Sequence, residues 1–139
     1  MSAEKKITGG CSCGAVRYEI AADPVFMLNC HCRDCQRATG SAYAPVVVVP
    51  RNATKISGEL KYFKVVGESG KYVERGFCPK CGSRVNGNLE RFPDVVGFLA
   101  GSLDDPSLHK PGMDLFTASA HHWDHMAPHL QKFAKGAER

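Results

Sequence analysis

Short apolar or alternating segments follow one another along the chain and are separated by glycine or proline. Residues 16–20 alternate strictly between apolar and polar, which is typical of a strand with one buried face. Residues 25–29 and 44–50 are short apolar runs, and prolines near both ends of the second favour a buried strand. Residues 60–66 and 72–77 flank a turn bounded by glycines, which predicts a hairpin.

Helix is predicted at only two short segments. Residues 33–38 have room for one or two helical turns before Gly40, and residues 127–134 predict a short helix near the end of the chain. Residues 95–103 and 115–118 predict two further strands. The pattern therefore predicts a mainly β fold built from small sheets.

Length and composition limit the class of protein. The 139 residues are expected to form one domain, and 43% hydrophobic and 23% charged residues are ordinary for a globular chain. No apolar run approaches the roughly 20 residues that span a bilayer, and no apolar stretch follows the first lysines as in a secretory signal. We therefore expect a cytoplasmic protein without a membrane partner. A net charge of +4 is too small to predict a nucleic-acid partner.

Cysteine is the unusual feature, because seven occur and each belongs to a cluster. An odd number excludes a complete intramolecular disulfide set, and a reducing cytoplasm disfavours disulfides. Clustered thiols in such a setting predict metal sites rather than buried apolar cysteines or a redox dithiol pair. The clusters are Cys11 and Cys13, then Cys30, Cys32 and Cys35, then Cys78 and Cys81.

Two of the clusters share a feature that suggests how seven ligands divide. Gly14 follows the second cysteine of the first cluster and Gly82 follows the second cysteine of the last. A metal-binding knuckle often needs positive φ at this position, which glycine adopts readily. These two knuckles are predicted to form one closed, tetrahedral site that joins segments about 65 positions apart. Its ligands would be Cys11, Cys13, Cys78 and Cys81.

The middle cluster then predicts a second, open site. Residues i and i+2 of an extended segment project to the same side, so Cys30 and Cys32 can face one metal while His31 points away. Cys35 returns to that metal if a helix begins after Cys32. Three ligands leave one position uncovered. A competing division, in which Cys32 and Cys35 pair with the last cluster, stays open at this point.

Three thiolates suit the capture of a further sulfur better than the activation of water. They leave the zinc unit with a net negative charge, which makes the metal a weaker Lewis acid than one held by neutral histidines. A soft site with an open position favours an incoming thiol and would hold it as thiolate. Arg33 and Arg37 flank the cluster and could offset the charge or bind a substrate carboxylate, or they could simply form a solvated helix face.

The cysteines lie in three longer motifs, which are G-G-C-S-C-G-A-V-R-Y-E at 9–19, C-H-C-R-D-C-Q-R-A-T-G-S at 30–41 and R-G-F-C-P-K-C-G-S-R-V at 75–85. Together these motifs resemble the glutathione-dependent formaldehyde-activating enzyme family, which includes centromere protein V. The resemblance covers a motif core at 9–103 and implies a single zinc-binding domain over 1–139 with a β-tent fold, small antiparallel sheets around a structural zinc. It implies two Zn²⁺ sites, a structural one at Cys11, Cys13, Cys78 and Cys81 and a catalytic one at Cys30, Cys32 and Cys35.

The predicted function is therefore that of a zinc-dependent carbon–sulfur lyase. The resemblance implies the reversible reaction of glutathione with formaldehyde to give S-hydroxymethylglutathione, so the predicted partner is glutathione or a similar small thiol. The alternative is a non-catalytic zinc module that binds a protein partner or a small thiol. Arg37, Ser41 and Trp123 are candidates for the substrate pocket, and exposed strand edges are compatible with a homodimer.

The C-terminal segment, residues 104–139, contains a group of histidines. His121, His125 and His129 would share one face if this part were helical, and we expect a solvent-facing polar cluster there rather than a third metal site.

Overall fold

The computed structural model describes residues 6–67 and 70–136. Eleven strands, one α-helix and four short 3₁₀ turns account for the regular structure of these residues. The strands are β1 (Ile7–Gly10), β2 (Arg17–Ile20), β3 (Phe26–Cys30), β4 (Ala44–Pro50), β5 (Thr54–Ser57), β6 (Lys61–Val66), β7 (Tyr72–Phe77), β8 (Arg84–Leu89), β9 (Val95–Leu99), β10 (Met113–Leu115) and β11 (Gln131–Lys132). The α-helix is α1 (Arg33–Thr39), and the 3₁₀ turns are Arg51–Ala53, Ala100–Ser102, Pro106–Leu108 and Thr117–Ser119.

The strands form two sheets. A three-stranded antiparallel sheet has the order β1-β2-β5, and an eight-stranded sheet has the order β11-β10-β3-β4-β9-β8-β7-β6. The large sheet is antiparallel from β3 to β6, whereas β10 pairs with β3 and with β11 in parallel. The predicted mainly β class is confirmed, and the C-terminal segment contributes the parallel strands β10 and β11 at one end of the large sheet.

Most of the predicted elements are present. Strands lie within or close to the predicted segments in the first three quarters of the chain, and α1 is followed by Gly40 in the left-handed conformation. The predicted strand at 95–103 ends at Leu99, where a 3₁₀ turn takes over. The strand expected at 115–118 lies earlier, at Met113–Leu115. The sequence analysis missed β5 and β8.

The helix predicted at 127–134 is wrong. The backbone amide of Gln131 donates to Gly112 O at 3.3 Å and that of Phe133 donates to Asp114 O at 3.0 Å. These long-range bonds hold the segment extended beside β10, so its amides do not form the helical ladder. The expectation that His121, His125 and His129 share a helical face fails for the same reason, because only turns and β11 occupy residues 120–132.

The hydrophobic core joins the two sheets. Tyr18 of β2 and Phe98 of β9 are almost completely buried, and their rings stack with centroids 4.0 Å apart. The Tyr18 hydroxyl shares a 2.7 Å hydrogen bond with the hydroxyl of Ser102, which satisfies its polar end inside the core. Burial raises the pKa of Tyr18 to about 12. Among the described residues, the one α-helix is too short to cross a membrane.

Phe98→Ala should lower the free energy of unfolding by about 3–5 kcal/mol, because it leaves a cavity where the two sheets meet. Urea denaturation followed by circular dichroism measures the change. Phe63→Ala is the matched control, since the Phe63 side chain on β6 is 65% exposed and its removal should cost less than about 0.5 kcal/mol. Equal losses in the two variants would contradict this description of the core.

Candidate metal centres

The seven cysteines form two groups of thiols in the structure. Four of them, Cys11, Cys13, Cys78 and Cys81, have sulfur atoms that all lie within 4.8 Å of one another. The sulfurs of Cys11 and Cys13 lie 3.6 Å apart, and those of Cys13 and Cys78 lie 3.8 Å apart. A tetrahedron with metal–sulfur bonds of about 2.3 Å has edges of about 3.8 Å, so the four-thiol cluster fits a tetrahedral metal.

Local backbone structure holds the four-thiol cluster. Gly14 and Gly82 have φ of +80° and +78°, as the knuckle interpretation predicted. These turns let the Gly14 amide donate to Cys11 O at 3.2 Å and the Gly82 amide donate to Cys78 O at 2.8 Å. The Cys11 sulfur accepts from the Val16 amide at 3.3 Å.

Ser83 links the two knuckles. Its hydroxyl accepts from the Ser12 amide at 3.1 Å and lies 3.2 Å from the Cys81 sulfur. Hydrogen bonding from Ser83 lowers the pKa of Cys81 to about 5, which favours the thiolate that a metal requires. The cluster thus connects the β1–β2 loop of the small sheet with the β7–β8 loop of the large one.

The other three cysteines form a three-thiol cluster at the start of α1. Cys30 is the last residue of β3, Cys32 is the N-cap of α1 and Cys35 lies in its first turn. Their sulfurs lie within 4.8 Å of one another, and the Cys35 amide donates to the Cys32 sulfur at 3.2 Å. Hydrogen bonds from the Cys30 and Cys35 thiols, together with this amide, lower the pKa of Cys32 well below its usual range. Three converging soft donors suit a thiophilic metal and leave one tetrahedral position open.

Two arginines that the sequence analysis assigned no role lie near this cluster. Arg75 of β7 places Nη2 3.8 Å from the Cys35 sulfur. Arg84 of β8 is largely buried, and burial, together with the neighbouring Arg75 charge, lowers its pKa. Both residues belong to the third cysteine motif, but the motif by itself does not indicate that they lie near Cys35. Three strands separate β3 from β7 in the sheet, so the contact between Arg75 and Cys35 depends on the tertiary fold.

His31 lies between two of the three cysteines, yet its ring faces other partners. The ring is fully buried, with Nε2 2.8 Å from Asp114 Oδ1 and Nδ1 in contact with Asp124 Oδ2. Lys132 Nζ donates to the other Asp114 oxygen at 2.7 Å. The sequence offered no signal for this group, because its carboxylates stand more than 80 positions from His31.

Comparison with known proteins agrees with this geometry. The family model of the glutathione-dependent formaldehyde-activating enzymes, abbreviated GFA, matches residues 6–119. The chain belongs to the GFA family. The match contains both thiol clusters, Arg75 and Arg84, and extends past the predicted motif core into β10.

Two curated relatives carry names that assign them provisionally to glutathione-dependent formaldehyde activation. A Penicillium rubens protein is 29% identical over 83 residues, which cover 58% of this chain and 43% of that protein. A Halomonas elongata protein is 27% identical over 112 residues, which cover 70% of this chain and 66% of that protein. The GFA chain thus spans less than two thirds of the length of either relative.

A solved structure shares the fold. The crystal structure of a Rhodobacter sphaeroides protein superposes with a TM-score of 0.58 at 21% identity, and the match covers 75% of this chain and 96% of that one. At this identity the likeness concerns the fold of the GFA chain alone.

The three predicted pocket residues lie at or near the surface. Arg37 stands in the last turn of α1, and Ser41 follows the helix; both are exposed. Trp123 is 53% exposed and stacks on His121, with ring centroids 5.0 Å apart. Their part in a substrate pocket of this GFA protein stays a prediction, as do the structural and catalytic roles of the two clusters.

Gly82→Ala should destabilise the four-thiol knuckle by about 1–2 kcal/mol, because a residue with a Cβ resists this left-handed φ. The added methyl would meet no atom within 4 Å, so the penalty arises from the backbone alone. Gly101→Ala is the control, since Gly101 also has free space but its φ lies outside the left-handed region. Thermal unfolding compares the two, and an equal effect would refute the knuckle interpretation.

Proposed function

We propose that this GFA protein is a zinc-dependent carbon–sulfur lyase acting on the adduct of glutathione, or a similar small thiol, with a small aldehyde. The observation that carries the proposal is the three-thiol cluster with Arg75 beside it. Three sulfurs converge on one point without a fourth cysteine, which suits exchangeable binding rather than a purely structural role. Family membership supports glutathione and formaldehyde as the reactants.

The four-thiol cluster is proposed as a structural zinc site. Its ligands come from loops of both sheets. A metal there would add folding free energy that the core of a short chain does not supply alone. Cys11 and Cys78 are buried, whereas Cys13 and Cys81 are exposed. This closed set of four sulfurs offers no position to a substrate.

The three-thiol cluster is proposed as the reactive zinc site. Zinc held by Cys30, Cys32 and Cys35 would favour the thiolate form of a substrate thiol at its open position. The protein itself holds the three sulfurs in position. The Cys35 amide keeps the Cys32 sulfur in place, and the helix start that carries both residues fixes the direction in which the cluster opens.

Cationic side chains explain why an anionic thiol would bind here. Arg75 contacts Cys35, and Arg84 lies close enough for their charges to influence each other. Their two charges oppose the excess negative charge of three thiolates and attract the carboxylates of a substrate such as glutathione. Arg37, Ser41 and Trp123 are proposed to form the outer part of this pocket. A cytoplasmic location, where reduced glutathione is abundant, belongs to the same proposal.

Cys32→Ser should abolish turnover while the fold persists, because it removes the central donor of the three-thiol cluster and leaves the other cluster intact. We expect the exchange rate between free glutathione and its hydroxymethyl adduct, followed by NMR with ¹³C-formaldehyde, to fall about 100-fold or more toward the uncatalysed rate. Circular dichroism and metal content are the controls, and about one metal per chain should remain. Wild-type exchange in Cys32→Ser protein would refute the proposal.

The non-catalytic zinc module remains the second candidate, because an accessible soft site can bind a thiol without transforming it. The same NMR experiment separates the two functions. A binding module would broaden or shift the NMR signals of glutathione, while the exchange of glutathione with formaldehyde would stay at the uncatalysed rate.

Cys81→Ser should lower the melting temperature by at least about 5 °C, because it opens the four-thiol cluster that joins the two sheets. Differential scanning calorimetry of metal-replete protein measures the shift. Cys32→Ser in the same assay is the matched control, and it should lose less. An unchanged melting temperature for Cys81→Ser would contradict the structural role of this cluster.

A further inference from the structure

A buried ionic group lies directly behind the three-thiol cluster. The His31 side chain is 0% exposed, and those of Asp114 and Asp124 are 1% and 2% exposed. Lys132, 33% exposed, reaches the group from the surface side. The proposed reaction uses none of these four residues.

Each nitrogen of the His31 ring has its own carboxylate partner. Nε2 contacts Asp114 and Nδ1 contacts Asp124. Burial raises the pKa of Asp114, but the hydrogen bonds from Lys132 and His31 outweigh it and lower that pKa overall. Buried carboxylates are tolerated in proteins when they are paired in this way.

The group joins parts of the chain that are distant in sequence. His31 belongs to the β3–α1 loop between Cys30 and Cys32, whereas Asp114 lies on β10 and Asp124 follows Trp123. The His31 amide also donates to Leu115 O at 2.9 Å. Ring and backbone of His31 are thus both held by the C-terminal segment.

Gln36 makes a second junction of the same kind. The side-chain Nε2 of Gln36 donates to His31 O at 2.7 Å and to Ser119 O at 3.1 Å, and its Oε1 lies 2.7 Å from His121 Nε2. Gln36 is buried one residue after Cys35. His31 precedes Cys32 and Gln36 follows Cys35, so the segment that carries these two cysteines is hydrogen-bonded to residues 114–124 near both of its ends.

From these contacts we propose that His31 is a positioning residue. Held between Asp114 and Asp124, it fixes the β3–α1 loop so that the sulfurs of Cys30, Cys32 and Cys35 converge. The C-terminal segment thereby sets the geometry of the reactive cluster without touching its sulfurs. The inference rests on the proposed function in one respect, namely that this cluster holds a metal.

Stability alone does not account for the group. Replacing buried ion pairs by apolar residues is often neutral or stabilising, so an elaborate charged group contributes little net folding energy. The group instead orients the β3–α1 loop, because both ring nitrogens of His31 meet their partners only in one orientation of that loop. Residues that orient the ligands of a metal typically change its affinity about 10–100-fold when they are altered.

The test uses protein loaded with Co²⁺ during expression, because tetrahedral cobalt–thiolate sites absorb visible light. The wild-type spectrum minus that of Cys32→Ser isolates the bands of the three-thiol cluster. Asp124→Asn keeps the size of the side chain and replaces one carboxylate partner of His31 by an amide. We expect those bands to weaken or shift, and the affinity for the second Co²⁺, measured by competition with a chromophoric chelator, to fall about 10–100-fold. The first Co²⁺ should bind as in the wild type.

Two controls separate positioning from general loss of stability. His129→Ala alters an exposed histidine of the same C-terminal segment and should leave both measurements unchanged. Phe98→Ala destabilises the core and should lower the melting temperature while keeping the wild-type spectrum at saturating Co²⁺. His31→Gln, which offers one nitrogen and an acceptor oxygen in place of two ring nitrogens, should behave as Asp124→Asn does. Asp124→Asn suffices if the His31 variant fails to fold.

The outcomes distinguish the inference from the proposal beneath it. Wild-type bands and affinity in Asp124→Asn protein would overturn the positioning role and leave the proposed function standing. A wild-type protein that binds one Co²⁺, with no spectral difference from Cys32→Ser, would overturn the proposed function and the inference together.

Discussion

The convergence of Cys11, Cys13, Cys78 and Cys81 is the constraint on which the rest of the structure depends. The two knuckles belong to different sheets, and their sulfurs approach to tetrahedral spacing. With this junction made, the small sheet covers the large one and Tyr18 meets Phe98 in the core. β7 ends and β8 begins at this junction, so it also fixes the strands that carry Arg75 and Arg84 toward the second cluster.

The three-thiol cluster depends on a different set of supports. Its sulfurs project from the end of one strand and the first turn of one helix, a stretch of chain too short to hold its own shape. The C-terminal segment supplies the missing rigidity through His31 and Gln36, while Arg75 brings its charge to Cys35. The four-thiol cluster is thus formed by loops of two sheets, whereas the three-thiol cluster is formed by one supported segment of chain.

Local features were predictable where local chemistry decides them. The positive φ of Gly14 and Gly82 follows from the knuckle turn. Helix α1 begins after its N-cap Cys32 and ends before Gly40, because capping acts within a few residues. Strand β8 escaped prediction because its sequence is polar, although Asn86 is buried within it. The false helix at 127–134 shows the reverse error, in which tertiary hydrogen bonds to Gly112 and Asp114 override local preference.

The sequence by itself determined the mainly β class, the cysteine clusters and the direction of His31 away from its neighbouring cysteines. Each follows from spacing over a few residues, because backbone geometry fixes where nearby side chains point. The division of the seven thiols into four and three was favoured by two glycines but left a competing pairing open, and the tertiary structure decided it. Only the tertiary structure decided what surrounds the three-thiol cluster. Arg75 approaches Cys35 from 40 positions away, and Asp114 and Asp124 contact His31 from 83 and 93 positions away. These contacts depend on the order of the strands and on burial between distant segments, which no local pattern encodes.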